Sequence, residues 1–388
     1  MSRVSAAALV AASALGLACG GSPGGSPADA SRADQRGQGG RYVQRNLVSD
    51  GSVQAEHVDP NLINAWGLAR LPASPWWVAA ADAGVSTLYD GEGVASPLVV
   101  SVSGAGGQPG APTGTVANPT DAFVVTSGGA SGAARFLFAS EDGTISGWNP
   151  QVPPPAAGAR STTTVVAVDR SADEASYKGL ALAQTASGPR LYAADFKHAR
   201  VDVFDGAFAP VSLHDGAFVD PDLPAGFAPF GVHEVNGHVV VTYAMQDEEG
   251  EEEVAGPHLG YVDAYTTDGH LERRIASGGK LDAPWGVALA PQAGFGRLSG
   301  RLLVGNFGDG TIVAYKLDGR GHSDGGDYLT TADGRLVIDG LWGLGFGNGA
   351  AAGPVDALYF AAGPEEETHG LFGRIDFAAA PGDGDGDR

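Results

Sequence analysis

The sequence predicts an all-β fold, a six-bladed β-propeller, and three observations lead to that prediction. A short motif, in which a glycine or aspartate follows a mostly aromatic segment, recurs six times. The six positions are Gly67, Asp121, Gly179, Gly231, Gly286 and Gly343. Short apolar strands follow each copy, separated by turns rich in Gly and Asp, as in "RLLVGNFGDGTIVAY". The chain also has 61 glycines among 388 residues without a three-residue period, which excludes collagen and is typical of folds with many tight turns.

Four antiparallel strands in each repeat of about 50 to 60 residues describe the blade of a propeller. The sixth copy stops after its third strand, at Phe377, whereas residues 41–51 ("RYVQRNLVSDG") form a spare strand before the first copy. We predict that this strand completes the last blade and closes the ring, and that the other five copies carry a fourth strand of their own. The propeller domain is therefore expected to span residues 41–378.

The repeated glycine has a structural explanation. It opens the innermost strand of each blade, where six strands crowd around one axis, and glycine allows the backbones to approach closely. The residue two positions later is small in most copies, as in Ala69, Ala181, Ala288 and Gly345, and it follows a large apolar neighbour. Small and large side chains can then interlock between adjacent blades.

The terminal segments differ in composition from the repeats. Residues 1–19 have one basic residue and an apolar run, as a secretory signal has, and "GLAC" resembles a lipobox, with Gly16 where leucine is usual. Cys19, the only cysteine, is the expected lipidation site, with ordinary cleavage nearby as the alternative. Residues 20–40 are predicted to be a disordered tether and residues 379–388 a disordered acidic tail. We therefore expect an exported lipoprotein of the periplasm, outer membrane or cell surface.

Charge restricts the partners. The formal net charge is -22 and the isoelectric point about 4.6, the wrong sign for a phosphate-binding surface. Nucleic acid is therefore not an expected partner, and the membrane is expected to be contacted only through the lipid anchor. A monomer is expected, with an unidentified ligand, envelope protein or polysaccharide as its partner.

One face of the predicted propeller collects aromatic and acidic side chains. In an up-and-down blade the start of strand one and the end of strand two lie at the same face, the default place for a ligand. The predicted binding face consists of the entry aromatics Trp66, Tyr177, Phe230, Trp285 and Trp342, the strand-two ends Asp82, Glu141, Asp195, Asp247, Asn306 and Glu365, and His233. Alternatively, the aromatics wedge between blades and the acids cap turns by accepting backbone N–H bonds.

Three further features have open interpretations. His233 stands where sibling blades have Ala or Gly, so it is expected to reach the channel or to be a buried histidine with hydrogen-bond partners. The acidic run at 246–253 ("QDEEGEEE") is read as a solvated loop, with a role in binding calcium or a cationic partner as the alternative. His369 near residues 365–367 could form an acid/base group, but no nucleophile is identified beside it.

Several long phrases resemble a family of uncharacterised exported bacterial propeller proteins: "DPNLINAWGLA" (59–69), "EDGTISGWNP" (141–150), "YKGLALA" (177–183) and "IDGLWGLGFGNG" (338–349). The repeat is also similar, more distantly, to NHL-type and gluconolactonase-like six-bladed propellers. That likeness implies a divalent cation at the channel mouth, calcium or another, with Asn64, Asn118, Asp195 and Asn306 as its candidate ligands. No other cofactor is expected.

The functional expectation follows from these features. The chain has no G-x-S-x-G, HExxH or P-loop motif, so no nucleophile-dependent hydrolase is indicated and no catalytic residue is assigned. We expect a ligand- or protein-binding scaffold of the cell envelope. The alternatives are a metal-dependent hydrolase of lactonase type and an envelope polysaccharide binder that uses the aromatic face.

Overall fold

The computed structural model describes residues 40–317 and 325–379, and within them almost all regular structure is β-strand. The helices in these ranges are three single turns of 3-10 type, at Ala105–Gly107, Ser171–Asp173 and Gly296–Leu298. None of the helices in the described part of the chain is long and apolar enough to span a membrane. The strands form six sheets around a central channel.

The first two strands of the chain come before blade 1 in sequence and belong to the sheet of blade 6, and blades 1 to 3 follow in chain order. The leading strands are β1 (Arg41–Ser49) and β2 (His57–Val58). Blade 1 contains β3 (Ala65–Ala69), β4 (Trp76–Ala80), β5 (Val85–Tyr89) and β6 (Val100–Ser101). Blade 2 contains β7 (Pro112–Ala117), then a side hairpin of β8 (Val124–Ser127) and β9 (Ala130–Ala133), then β10 (Phe136–Ser140), β11 (Thr144–Trp148) and β12 (Val165–Asp169). Blade 3 contains β13 (Tyr177–Thr185), β14 (Gly188–Asp195) and β15 (Arg200–Asp205).

Blades 4 to 6 complete the ring. Blade 4 contains β16 (Phe227–Val235), β17 (His238–Gln246), the short β18 (Glu253–Val254), β19 (Tyr261–Tyr265) and β20 (Leu271–Ser277). Blade 5 contains β21 (Pro284–Leu289), β22 (Leu302–Asn306), β23 (Ile312–Tyr315) and β24 (Asp327–Tyr328), and a hairpin of β25 (Thr330–Thr331) and β26 (Gly334–Arg335) follows it. Blade 6 contains β27 (Leu341–Phe346), β28 (Leu358–Ala362) and β29 (Leu371–Ala378).

The innermost strands pack against one another through glycine. A Cβ atom on Gly231 would collide with the carbonyl oxygen of Trp285, and one on Gly286 with that of Trp342. The same holds at Gly343, whose Cβ would meet the carbonyl of Trp66 in blade 1. Because each inner strand touches the backbone of the next in this way, only glycine fits these positions.

The ring closes as the sequence predicts. Strand β1 runs antiparallel to β29, with Tyr42 opposite Phe377 and Ser49 opposite Leu371. Its side chains Tyr42, Leu47 and Val48 are buried, and the Tyr42 hydroxyl donates a hydrogen bond of 2.8 Å to the carbonyl of Phe295. The predicted six-bladed propeller, with its last blade completed by an N-terminal strand, is therefore confirmed.

Two details depart from the sequence prediction. In blade 2 the inner strand is β7 and its ring glycine is Gly114, so the supposed copy at Asp121 lies in the connection that follows. That connection is shaped by Asn118, whose Oδ1 accepts hydrogen bonds from the amide and hydroxyl of Thr120. The "NPTD" phrase is therefore a side-chain-capped turn, not the start of a strand.

Blade 3 has three strands where four were predicted. After β15 the chain makes a single bridge between Phe204 and Pro210. Asp205 Oδ1 accepts the amides of both Ala207 and Ala209, which holds the backbone in a turn. A carboxylate that binds nearby amides in this way competes with strand pairing.

The expectations for the signal segment 1–19 with Cys19, for most of the 20–40 tether and for most of the 379–388 tail concern positions outside the described residues.

Candidate functional site

One end of the channel is defined by the residues that immediately precede the six ring glycines. They are Trp66, Thr113, Lys178, Phe230, Trp285 and Trp342 in blades 1 to 6. Connections between the second and third strands of the blades surround the same end. We call this end the acidic mouth, after the carboxylates of those connections.

The aromatic side chains close the channel beneath the mouth. Trp66 stacks on Trp342 with ring centroids 3.5 Å apart, and Trp285 meets both edge-on at 5.8 and 5.6 Å. Phe230 and Phe307 pack on Trp342 at 5.6 and 4.1 Å. Trp66 is 2%, Trp285 3% and Trp342 0% exposed, so these rings form a plug and present no open face to a sugar.

Tyr177 lies apart from this plug. It is buried between blades 2 and 3, and its hydroxyl donates a 2.8 Å hydrogen bond to Asp202 Oδ2. The strand pairing shifts register between Tyr177 and Gly179, as at a β-bulge. The bulge turns Lys178, not the tyrosine, toward the channel.

Lys178 is the central cation of the mouth. Its side chain is 2% exposed, and its ammonium group pairs with Glu141 and, at 3.5 Å, with Glu252. The ammonium also lies 5.3 Å from the centroid of the Trp66 ring, which is within cation–π range. Burial opposes its charge, but the attraction of Glu141 and the neighbouring glutamates is stronger and holds the pKa of Lys178 above its ordinary value. The lysine therefore stays protonated at neutral pH.

Glu253 brings a further carboxylate to the mouth from blade 4. The short strand β18 pairs with the end of β17, with Glu253 opposite Gln246, and this pairing folds part of the acidic run back over the channel. Burial raises the pKa of Glu253 to about 8, although Lys178 pulls in the opposite direction. Its Oε2 atom is buried and has no hydrogen-bond partner.

Glu367 approaches from blade 6. Burial raises the pKa of its carboxyl to about 7 against the attraction of Lys178, with Glu141 adding repulsion. Its side chain also contacts Asn64, while its Oε1 atom is buried without a hydrogen-bond partner. Two carboxyl groups with raised pKa values and unsatisfied oxygens therefore face one buried ammonium group.

The loop that carries Glu367 has a strained backbone. Glu365, Glu366 and Glu367 have φ angles of 55°, 55° and 65°, a left-handed region that costs each non-glycine residue about 1–2 kcal/mol. The loop is held in place by the Glu365 amide, which donates to Asp339 Oδ2 at 2.9 Å, and by His369, whose Nδ1 lies 2.7 Å from Asp50 Oδ2. Strain of this kind concentrates at functional sites.

Most of the other predicted face residues hold turns. Asp195 is fully buried and accepts the Ser176 amide, and it also pairs with His198 at 2.9 Å and Arg200 at 3.0 Å. Asp247 Oδ1 accepts the amide of Glu251. Asp82 is exposed and accepts the Nδ2 of Asn64 at 3.2 Å, and Glu365 points toward His369 at 3.5 Å.

The four residues predicted as possible metal ligands do not form one group. Asn64 precedes its inner strand at the acidic mouth, whereas Asn118 follows the end of β7 at the opposite end of the channel. Asn306 is fully buried, and its amide nitrogen donates to the Lys280 carbonyl and Thr311 Oγ1. Among the residues at 40–317 and 325–379, no cluster of three or more His, Cys, Asp or Glu side chains has a geometry suited to a metal.

His233 belongs to the channel below the plug. Its Nε2 lies 2.8 Å from the carbonyl oxygen of Trp285, which can only accept, so Nε2 carries the proton. Burial lowers the pKa of His233 to about 4 despite this hydrogen bond. A neutral imidazole thus lines a cavity of about 290 Å³ at the end of the channel away from the acidic mouth.

A second cavity opens beside the acidic mouth. It has a volume of about 450 Å³ and lies between blades 2, 3 and 4. Its wall includes Lys178 together with Glu141, Glu174, Glu251 and Glu252. A small molecule bound in this cavity would reach the buried ammonium group and the carboxylates around it.

The sequence predicted this face but not its central residue. The sequence pattern places Glu141 there, but it selects Tyr177 in place of Lys178. For the run at 246–253 it favours a solvated loop over a role in binding calcium or a cationic partner. The available signal was the alignment on glycine, because Lys178 stands directly before Gly179 as Trp66 does before Gly67. A lysine in a row of aromatic residues is the position to inspect.

The closed ring of six antiparallel sheets around a plugged channel defines a six-bladed β-propeller protein. No family model matches the chain. It is 32% identical over 334 residues to "Uncharacterized protein R648" of Acanthamoeba polyphaga mimivirus, covering 85% of this chain and 78% of the relative. "Uncharacterized protein L690" of the same virus is also 32% identical, over 85% of this chain and 84% of that protein. The protein belongs to the family of these uncharacterised mimivirus proteins.

A solved structure with a TM-score of 0.50 agrees with the fold. A glucose dehydrogenase structure is 14% identical to this chain with a TM-score of 0.50, over 87% of this chain and all of that one. A virginiamycin B lyase from Staphylococcus aureus is 11% identical with a TM-score of 0.49, over 87% of this chain and 99% of the other. At 14% identity, the likeness to the glucose dehydrogenase structure concerns the fold alone.

Proposed function

We propose that the protein is a ligand-binding propeller whose acidic mouth takes a small organic cation, such as a primary amine. The observation that carries the proposal is the pair of buried carboxyl oxygens, Glu253 Oε2 and Glu367 Oε1, which lack hydrogen-bond partners beside Lys178. An unsatisfied buried acceptor costs about 1–3 kcal/mol. An ammonium group has three hydrogens to donate and would satisfy such oxygens.

Charge supports a cationic ligand over a neutral or anionic one. The cavity beside the mouth is lined by five carboxylates, Glu141, Asp142, Glu174, Glu251 and Glu252, and by two lysines, Lys178 and Lys197. Glu253 and Glu367 bring further carboxyl groups close to Lys178, which lines this cavity. The excess of acid attracts a cation and repels an anion.

The state of Lys178 favours binding over covalent chemistry. A lysine acts as a nucleophile only after it loses its proton, and in this mouth the surrounding glutamates hold its pKa above the ordinary value. Its charge instead keeps Glu141 and Glu252 in place around the mouth. The metal-dependent hydrolase that the sequence left as an alternative gains no support, because Asn64 and Asn118 lie at opposite ends of the channel.

Calorimetric titration with 1,4-diaminobutane tests the proposal, with 1,4-butanediol as the uncharged match. We expect the diamine to bind and the diol not to bind. Glu253→Gln and Glu367→Gln each remove a carboxylate that would pair with the ammonium group. Each is expected to weaken diamine binding about tenfold or more.

Glu366→Gln is the matched control, because it removes one charge from the same loop at an exposed side chain. It should leave the affinity unchanged. Equal binding of the diol and the diamine, or equal affinities for Glu253→Gln and Glu366→Gln, would contradict the proposal. Calcium chloride at the same ionic strength should not displace the diamine, and displacement at low concentration would favour a metal site instead.

We also propose that the protein acts as an exported, lipid-anchored scaffold of the cell envelope. The support is the composition of residues 1–19 and the single cysteine at position 19. Labelling with tritiated palmitate in a bacterial host should mark the wild-type chain and not Cys19→Ser. Equal labelling of both chains, or labelling of neither, would overturn the lipid anchor.

A further inference from the structure

A groove on the face opposite the acidic mouth has the reverse charge. It lies between blades 1 and 2, beside the turn that joins β3 to β4 and the long connection after β11, and has a volume of about 690 Å³. Arg135 and Arg160 line it, and no Asp or Glu is among its described lining residues. A volume of this size suits a small molecule.

The two arginines differ from most of the arginines in the described part of this protein. The chain carries 45 acidic against 23 basic residues, and most of its described arginines pair with carboxylates. These are Arg45, Arg170, Arg190, Arg200, Arg274, Arg297, Arg301 and Arg374. In contrast, neither Arg135 nor Arg160 makes a side-chain hydrogen bond or ion pair with any residue in the described ranges. Two unpaired guanidinium groups at one cavity leave a site for an anion.

The remaining wall of the groove is mainly apolar and aromatic, with Ser74, Ser96 and Gln151 as its polar members. Trp77 and Phe136 stack with centroids 4.1 Å apart, and Trp148 packs on Trp77 at 4.6 Å. Edges of these rings reach the cavity together with Leu71 and Pro75. Trp77, Phe136 and Trp148 are only 2%, 2% and 3% exposed, so they present edges and not open faces to the groove. The apolar part of a ligand would lie over these edges while its anionic group meets the arginines.

The groove is already shaped in the absence of a ligand. The indole nitrogen of Trp148 donates to the carbonyl of Ser161 at 2.8 Å, which fastens the long connection to the blade. Asn149 Nδ2 donates a hydrogen bond of 2.7 Å to the Ala133 carbonyl. The Ser161 amide donates one of 2.9 Å to the Pro150 carbonyl. Little ordering would therefore be needed on binding.

We propose that this groove binds a small organic acid with an apolar body, through Arg135 and Arg160. The proposal is independent of the acidic mouth, since the two sites share no residue and lie on opposite faces. It assigns opposite ligand charges to the two faces of one propeller.

Calorimetric titration with 2-naphthoate, at low ionic strength, tests this inference. The acid should bind, and the uncharged 2-naphthalenemethanol should bind at least about tenfold more weakly. Arg135→Gln and Arg160→Gln should each weaken naphthoate binding about tenfold or more, and Arg135→Lys, which keeps the charge and loses the planar fork, should bind with intermediate affinity.

Arg41→Gln is the matched control, because it removes the same charge from an exposed side chain of β1, away from the groove. Its affinity should equal that of the wild type, as should that of Glu253→Gln at the other face. Absence of naphthoate binding, equal binding of the acid and the alcohol, or equal affinities for Arg160→Gln and Arg41→Gln would overturn the proposal. Thermal unfolding of each variant verifies that it is folded.

Discussion

At the scale of single residues, the mouth depends on which side chain precedes each ring glycine. Lys178 takes the position that Trp66 takes in blade 1, and the difference of one residue changes an aromatic plug position into a buried cation. Period-two reasoning cannot choose between Tyr177 and Lys178, because the register shift between Tyr177 and Gly179 interrupts the alternation of faces. The bulge is a property of the assembled ring, so the sequence pattern alone does not show it.

The raised pKa values of Glu253 and Glu367 predict a pH dependence of stability. Both groups have folded-state pKa values, about 8 and about 7, that lie above the usual 4.5. Between pH 4.5 and pH 8 the folded protein therefore binds more protons than the unfolded chain does. The stability from their protonated forms is complete below about pH 4.5 and is lost as the pH rises toward 8. The glutamine in Glu253→Gln cannot ionise. Between pH 6 and pH 8.5 the melting temperature of this variant should therefore fall about 2 °C less than that of the wild type.

Differential scanning calorimetry across that range measures the difference. Glu248→Gln, at an exposed side chain of the same connection, serves as the control and should follow the wild type. A Glu253→Gln curve parallel to the wild-type curve would show that the Glu253 carboxyl is already ionised in the folded protein.

At the scale of elements, sequence reasoning identified the blades better than the connections between them. The sequence marks the inner strands by a glycine in each, because their backbones touch. The closure strand is predicted from the count of strands, because the last copy lacks its fourth strand. The failures are in connections. Asn118 and Asp205 cap turns with their side chains at places where the pattern had predicted new strands, and the small β18 pairing draws Glu253 out of a run that composition alone would leave in solvent.

The ring glycines are predicted to be essential for the stability of the packed inner strands. Gly286→Ala would place a methyl group against the carbonyl of Trp342 in the next blade, so two backbones must separate. The expected loss in the free energy of unfolding is about 3 kcal/mol. Gly129→Ala is the control: nothing lies within 4 Å of its Cβ, and its φ of +80° should cost only about 1 kcal/mol.

Urea unfolding followed by tryptophan fluorescence compares the two variants. A loss at Gly286→Ala no larger than that at Gly129→Ala would mean that the inner strands can move apart at little cost. The glycines would then need an explanation other than close packing.

At the scale of the whole molecule, the sequence was sufficient for the ring and its closure, because both follow from repetition and from strand counting. It was not sufficient for the chemistry of the two faces. The mouth joins Glu141, Lys178, Glu253 and Glu367 from four blades, and the groove joins Arg135 and Arg160 across a long connection. The groups of the mouth meet only when the blades assemble, and the two arginines only when the connection after β11 folds over blade 2. Apart from the position of Lys178 before its ring glycine, no local pattern marks them.

Proton release on ligand binding tests the cation-binding mouth most directly. At pH 7.5, Glu253 and Glu367 are each partly protonated. An ammonium group that pairs with both favours their ionised forms, so the protons that they hold leave as the ligand binds. Titration of the full chain with 1,4-diaminobutane in buffers of different ionisation enthalpy counts these protons. We predict a release of about one proton per bound diamine at this pH, with less in Glu253→Gln. Binding without proton release, or with proton uptake, would contradict a mouth in which Glu253 and Glu367 are partly protonated at this pH.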